Sequence, residues 1–137
     1  MAQYRARHGA LTGAVATPQN VAINPFGTDT PALQVPEGAS AIKQLIIGLA
    51  TSVVEVASAG VTVCVRLSGD GLAKGGNQDI PVGGLTNGTT STGKGNMTGV
   101  AMDVDIPVVP GGTITIQAAI NGVDVGTPEI DVGLAFA

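Results

Sequence analysis

The sequence has few of the residues that usually carry chemistry or stacking. It contains one cysteine, one histidine, no tryptophan, and only three aromatic residues, Tyr4, Phe26 and Phe136. The single cysteine, Cys64, excludes an intrachain disulfide, and His8 lacks the partners that a catalytic triad or a zinc site requires. So few rings also argue against a platform on which sugars or single-stranded nucleic acid would stack.

Charge is scarce as well. Charged residues make up 12% of the 137 residues, against a hydrophobic fraction of 44%, and the net charge is −4. An isolated domain usually carries more charge on its surface, so we expect other subunits to cover much of this one. The negative balance argues against general affinity for nucleic acid.

No apolar run reaches the roughly 18 residues of a membrane span. The start of the chain has basic residues at Arg5 and Arg7, but the apolar part that follows is too weak and too interrupted by glycine for a secretory signal. We therefore expect a protein that is made in the cytoplasm, stays there until assembly and has no contact with a membrane.

Alternation of apolar and polar residues is the strongest signal that is present. A period of two is typical of strands with one face on a core. Asn121 and Gly122 follow one such run, and this dipeptide favours the positive φ angles of a tight hairpin turn before the last run. The alternating runs are residues 61–68, 98–106, 113–120 and 130–136.

Residues 41–56 give an ambiguous pattern. Ile42, Leu45 and Leu49 have the spacing of a helix face, whereas Gly48 and several β-branched residues favour a strand. We prefer a strand over residues 41–51, followed by a shorter one near 53–56, and keep the helix as the alternative.

Shorter extended segments complete the expected fold. Residues 20–23 and 32–35 are strand candidates, and residues 77–85 suit an edge strand because Pro81 cannot donate to a ladder. About eight short strands separated by glycine and proline turns predict an all-β sandwich or barrel. We assign residues 20–137 to this single domain.

Residues 1–19 are predicted to form an extended N-terminal arm, locally basic in an acidic chain. One interpretation is a frayed terminus, and the other is an arm that contacts a neighbouring subunit. The candidate subunit contacts are Tyr4, Arg5, Arg7, Leu11 and Val15.

Three features of the sequence are candidate sites. Residues 88–94, GTTSTGK, match most of a phosphate-binding loop, but Gly95 replaces the hydroxyl that binds magnesium and a strand follows, so we expect no nucleotide binding. Asp103 and Asp105 share a strand face and could bind calcium together with acidic residues of other strands, namely Asp124, Glu129 and Asp131. We prefer an ordinary polar face there, and a small apolar role for Cys64. We expect no catalytic residue, no metal site and no cofactor.

The order of a basic arm, LQVPEGASAIKQLIIGLAT, VTVCVRLSG, IPVVPGGTITIQAAI and a terminal IDVGLAFA resembles small single jelly-roll capsid and decoration proteins of viruses. This resemblance in pattern covers residues 31–137. It implies an antiparallel β-sandwich of jelly-roll type with about eight strands, no catalysis, and assembly into a shell with copies of itself and another capsid protein. The short loops leave little room for a receptor-binding head.

The resemblance leads us to expect a structural subunit of a virion, without a small-molecule substrate. A subunit of a surface filament, completed by a neighbour's strand, and a ligand-binding module are the alternatives. The missing export signal weighs against the filament, and the scarcity of aromatic residues weighs against the ligand-binding module.

Overall fold

The computed structural model describes residues 3–11, 17–24, 33–50, 61–85, 98–122 and 129–137. All regular structure in these ranges is β-strand. In chain order the strands are β1 (Gln3–Ala10), β2 (Gln19–Asn20), β3 (Leu33–Gln34), β4 (Ala41–Ala50), β5 (Val61–Ser68), β6 (Gln78–Leu85), β7 (Thr98–Pro107), β8 (Thr113–Gly122) and β9 (Glu129–Phe136).

The strands form two antiparallel sheets. The first has the order β1-β9-β4-β7, and the second has the order β2-β8-β5-β6. The short strand β3 also pairs with β8, next to the position that β2 takes. Strands β2 and β3 are thus two segments of one edge, which leaves eight strand positions.

The strand pairs are nested along the chain, so that each pair encloses the next one in sequence. Strand β5 pairs with β6, β4 with β7, β2 and β3 with β8, and β1 with β9. A chain paired in this way is one long hairpin rolled into two facing sheets, which is the connectivity of a jelly roll. The predicted antiparallel sandwich of jelly-roll type is confirmed.

The core lies between the sheets, and about half of it consists of residues from the alternating runs at 61–68, 113–120 and 130–136. The inward residues of the fourth run, 98–106, are only partly buried. On β9, for example, Ile130, Val132 and Leu134 are fully buried, whereas Asp131 between them is exposed. The other buried core positions on the four predicted runs are Val63, Val65, Leu67, Ile114, Ile116, Ala118 and Phe136.

Strand β4 contains the irregularity that made its sequence ambiguous. Its register with β7 and β9 shifts between Ile42 and Gln44. Ile42 and Leu45 therefore both face the core, three residues apart, while Lys43 lies on the exposed side. The bulge gives Ile42 and Leu45 the three-residue spacing that is typical of a helix face. The preferred strand is confirmed for residues 41–50. The shorter strand predicted near 53–56 lies outside the described residues.

The predicted hairpin at Asn121–Gly122 is wrong. These residues are the end of β8 and pair with Thr62 and Val61 of β5. Strands β8 and β9 lie in different sheets, so the chain must cross between the sheets after residue 122. A two-residue turn can only join neighbours in one sheet.

The glycine and proline turns expected between strands are present at two places. Gly38 and Gly111 have positive φ angles of 83° and 79° in the turns that begin at Pro36 and Pro110. Strand β6 with Pro81 lies at the edge of its sheet, as predicted.

Most of the predicted arm belongs to the sandwich. Gln3–Ala10 forms the edge strand β1, paired along its length with β9. Leu11, which follows β1, is fully buried in the core. In place of an arm that reaches outward, these residues complete the chain's own sheet, because they can bury Leu11 and pair their backbone without a neighbour.

The connection between β5 and β6 packs tightly on the start of β8. Gly71 N–H donates to Thr113 O at 2.8 Å, and Gly71 O accepts from Val109 N–H at 2.8 Å. A Cβ atom on Gly112 would lie 2.6 Å from Gly71 Cα. Only glycine fits at this contact between two backbone segments.

Leu134→Ala should lower the free energy of unfolding by about 2–5 kcal/mol, because it empties a fully buried site between the sheets. The exposed Val109→Ala, outside the strands, is the control and should change it by about 0.5 kcal/mol or less. Chemical denaturation measures both. Equal effects would contradict the position of the core.

Gly112→Ala should cost about 1–3 kcal/mol, since the added methyl group must push two backbone segments apart. Gly133→Ala is the matched control, because its new Cβ atom would meet Ile46 at an ordinary contact distance of 3.5 Å. Thermal melting of both variants tests the contact, and a Gly112→Ala variant as stable as Gly133→Ala would argue against it.

Candidate functional site

The acidic residues considered for calcium are separated by the fold. Asp103 and Asp105 lie on the edge strand β7, whereas Glu129 and Asp131 lie on β9, with β4 between the two strands. Asp105 forms an ion pair with Lys43 at 2.7 Å. Asp124 lies outside the described residues. Within the described ranges no three His, Cys, Asp or Glu side chains come together in a way that could hold a metal ion.

His8 contacts one of these acids. Its Nδ1 lies 2.7 Å from Asp131 Oδ1, across the pairing of β1 with β9. The backbone N–H and C=O of His8 also exchange hydrogen bonds with Ile23, both at 2.9 Å. His8 therefore ties the edge strand β1 to β9 on one side and to the segment after β2 on the other.

Arg66 and Asp79 form an ion pair with two hydrogen bonds, which was not predicted from the sequence. Arg66 Nε donates to Asp79 Oδ1 at 2.7 Å and the terminal nitrogen donates to Oδ2 at 3.0 Å. The two residues are directly opposite on β5 and β6. Their hydrogen bonds lower the pKa of Asp79. Only the strand register could have revealed this pair, because nothing in the local sequence joins the two residues.

Asp70 holds the turn after β5 against β8. Its Oδ1 accepts hydrogen bonds from the Thr113 backbone N–H at 2.7 Å and from the Thr113 hydroxyl at 3.0 Å. Both bonds favour the carboxylate, so the pKa of Asp70 lies below its ordinary value. This contact fixes a turn and leaves the carboxylate engaged within the chain.

Cys64 is half-buried on β5, beside the Arg66–Asp79 pair. Burial, and then the negative charge of Asp79, raise the pKa of its thiol. Since the thiolate is the reactive form, this environment opposes a nucleophilic role and agrees with the small apolar role expected for Cys64.

The five candidate contact residues of the N-terminal segment divide into two groups. Tyr4 is 60% exposed and Arg5 is also exposed. Arg7 and Leu11 are buried by the chain itself and offer no surface to a neighbour. Val15 lies outside the described residues, as does the phosphate-loop-like stretch at residues 88–94.

Arg5 and Arg7 have a local role at the edge of the first sheet. Arg5 donates to Tyr4 O at 3.0 Å, and Arg7 donates to Ala6 O at 2.8 Å. Because backbone groups alternate in direction and those of His8 face Ile23, the carbonyls of Tyr4 and Ala6 point away from β9. The two guanidinium groups thus cover carbonyls that a further strand would need.

The opposite side of the sandwich is less closed. Among the residues whose burial the structure describes, the hydrophobic ones that pack on the core while only partly buried lie on β6 and β7: Ile80, Val100, Met102, Val104 and Ile106. A shallow cleft opens near the end of this side, lined by Leu72, Lys74, Gln78, Asp105, Ile106 and Pro107. The core is therefore incompletely covered along one edge.

Comparisons with known proteins add no relative. No protein-family model matches the chain, and no curated protein is similar to it. No described segment forms a helix with the length and apolarity that a membrane span requires. The chain is thus defined by its fold, an antiparallel jelly-roll sandwich, and by its surface.

Acid should destabilise the protein through Asp70, Asp79 and Asp105, whose pKa values are all lowered in the folded chain. A lowered folded-state pKa contributes stability above the ordinary carboxyl pKa of about 4, and this is lost as the pH falls through the folded value. Asp70→Asn should therefore lose less stability than the parent protein between neutral pH and strong acid.

Thermal melting across this pH range is the measurement, and the exposed Asp103→Asn serves as the control. An Asp70→Asn variant with the same acid sensitivity as the parent protein would contradict the assigned role of the Thr113 hydrogen bonds.

Proposed function

We propose that the chain is a non-enzymatic structural subunit of a virus particle, either a coat or an outer decoration protein. It is made in the host cytoplasm and assembles into a shell with copies of itself and another capsid protein. The jelly-roll connectivity supports this proposal, because viral capsid domains are prominent among jelly rolls. Lectins and cupins also have this fold, so the fold alone does not indicate a function, and features of the surface are needed as well.

The observation that carries the proposal is an uncharged row across the outer face of the first sheet. Ala6, Gly133, Ile46 and Ala101 are neighbours in register on β1, β9, β4 and β7. Ile46 and Ala101 are exposed, and Ala6 and Gly133 are half-buried. Together with a charged fraction of 12%, this flat row favours a surface that is covered in an assembly.

The polar contacts support a structural role more than a catalytic one. The hydrogen bond His8–Asp131 and the ion pairs Lys43–Asp105 and Arg66–Asp79 each join two neighbouring strands. Each consists of one basic and one acidic group that satisfy each other. Such pairs brace a sheet, and we assign no substrate or cofactor to them.

The filament subunit remains the alternative, and the incompletely covered edge of β7 is the observation that favours it. A strand from one subunit that completes the sheet of the next would repeat without closing. The two proposals differ in the shape of the assembly.

Electron microscopy and analytical ultracentrifugation of the full-length protein, alone and with the shell of its source particle, test the proposal. We expect closed shells, symmetric oligomers or binding to the shell. Fibres would favour the alternative, and a protein that stays monomeric at high concentration without binding a shell would contradict both.

Tyr4→Ala should weaken assembly by about tenfold in the dissociation constant without changing the melting temperature, because Tyr4 is exposed on β1 and supplies a large ring to a contact. Ile23→Ala, an exposed apolar residue beside β1, is the control. Deleting residues 1–19 would not be a clean test, since it removes β1 and Leu11 from the folded chain. Unchanged assembly of Tyr4→Ala would remove this residue from the interface.

A further inference from the structure

We propose that the outer edge of β7 is a self-association site, at which β7 of a second copy pairs antiparallel to it across a two-fold axis. The two first sheets then form one continuous sheet across the dimer. This inference rests on the assembly role proposed above and specifies one of its contacts.

The strands that the structure describes leave four sheet edges, and the edge of β1 is closed to a further strand. Arg5 and Arg7 occupy the outward carbonyls of Tyr4 and Ala6. His8 already uses its outward N–H and C=O on Ile23. Charged side chains that occupy an exposed edge are a common protection against strand addition.

Two further edges are unsuited to pairing. Strands β2 and β3 have two residues each, which is too short a ladder to hold a second chain. Strand β6 contains Pro81, which has no N–H to donate, and its register with β5 shifts between Val61 and Val63.

The edge of β7 is the least protected of the four, although its register with β4 shifts between Ile42 and Gln44 and Pro107 at its end has no N–H. It is ten residues long, and no strand among the described residues pairs with its outer side. Its inward residues Val100, Met102, Val104 and Ile106 are only partly buried, although their equivalents on β9 are fully buried. A strand added here would satisfy backbone groups and cover apolar side chains together.

The sequence of β7 suits pairing with itself. Any two-fold axis through a residue keeps the apolar residues of both copies on the core side. With Met102 on the axis, Val100 of one copy lies opposite Val104 of the other, and Asp103 lies opposite Ala101. An axis at Asp103 would place two Asp103 side chains opposite each other, and one at Val104 would place Asp103 opposite Asp105. Like charges in opposite positions are destabilising. Axes at Val100 or Ala101 would pair fewer of the ten residues of β7, so Met102 is the favoured axis.

Disulfide trapping tests this geometry in the full-length protein with Cys64→Ser as the background. Met102→Cys places two thiols opposite each other, about 4.5–5.5 Å apart between Cα atoms, within reach of a disulfide. Val104→Cys is the matched control, on the same face of β7. Its two copies would be four residues apart along the ladder, about 13 Å, and too far apart to bridge.

Mild oxidation followed by non-reducing electrophoresis should give a covalent dimer for Met102→Cys and at least tenfold less for Val104→Cys. Equal cross-linking of both variants would indicate random collision and overturn the proposed register. Absence of cross-linking in Met102→Cys, in a preparation that assembles, would overturn the proposed site and leave the assembly role standing.

A second variant is independent of thiol chemistry. Met102→Lys brings two positive charges together on the axis and should raise the dimer dissociation constant at least about tenfold in sedimentation equilibrium. Val109→Lys, exposed and just beyond the end of β7, should leave it unchanged. Thermal melting checks that both variants are folded. If the parent protein itself forms no oligomer, this inference fails, and the assembly role then depends on whether the protein binds the shell.

Discussion

The pairing of β9 with both β1 and β4 is the constraint on which the rest of the structure depends. Strand β9 is the last strand in the sequence and lies between β1 and β4 in the first sheet. Ala137 extends this link, because its carbonyl accepts the backbone N–H groups of Ser40 and Ala41 at 2.8 and 3.1 Å. Among the described strands of this sheet β1 pairs with β9 alone, so the C-terminal strand holds the N-terminal one. Closing this sheet requires contacts across nearly the whole chain, and such topologies fold slowly.

Several of the few charged residues have a structural role at the edges of the sheets. Arg5 and Arg7, two of the six basic residues, cover backbone carbonyls at one edge, and Pro81 interrupts another. Polar contacts elsewhere join neighbouring strands. The outer face of the first sheet carries charged residues such as Lys43, Asp105 and Asp131, but the row that runs through Ile46 and Gly133 is uncharged. We propose that this row and the edge of β7 are covered in an assembly.

The fold class could be predicted because strand alternation depends on local sequence. Each of the runs that contain Leu67, Ile116 and Leu134 has one apolar residue at every second position, and a half-buried strand is the only regular structure that buries such a set. The turns at Gly38 and Gly111 were predictable for the same reason, since a positive φ angle is a property of one residue. Little of the candidate surface could be predicted in this way, because Leu11 looked like part of an exposed arm until the core that buries it was known.

The sequence by itself determined which residues of the alternating strands face inward and where the turns at Gly38 and Gly111 lie, because side-chain period and backbone φ preference act within a few residues. Only the tertiary structure decided which strands are neighbours. It placed β8 and β9 in different sheets despite the Asn121–Gly122 signal, put Arg66 opposite Asp79, and set Ile42 and Leu45 on one face through a bulge. These outcomes depend on pairing between residues far apart in the chain, where the free energy of closing the whole core outweighs any local preference.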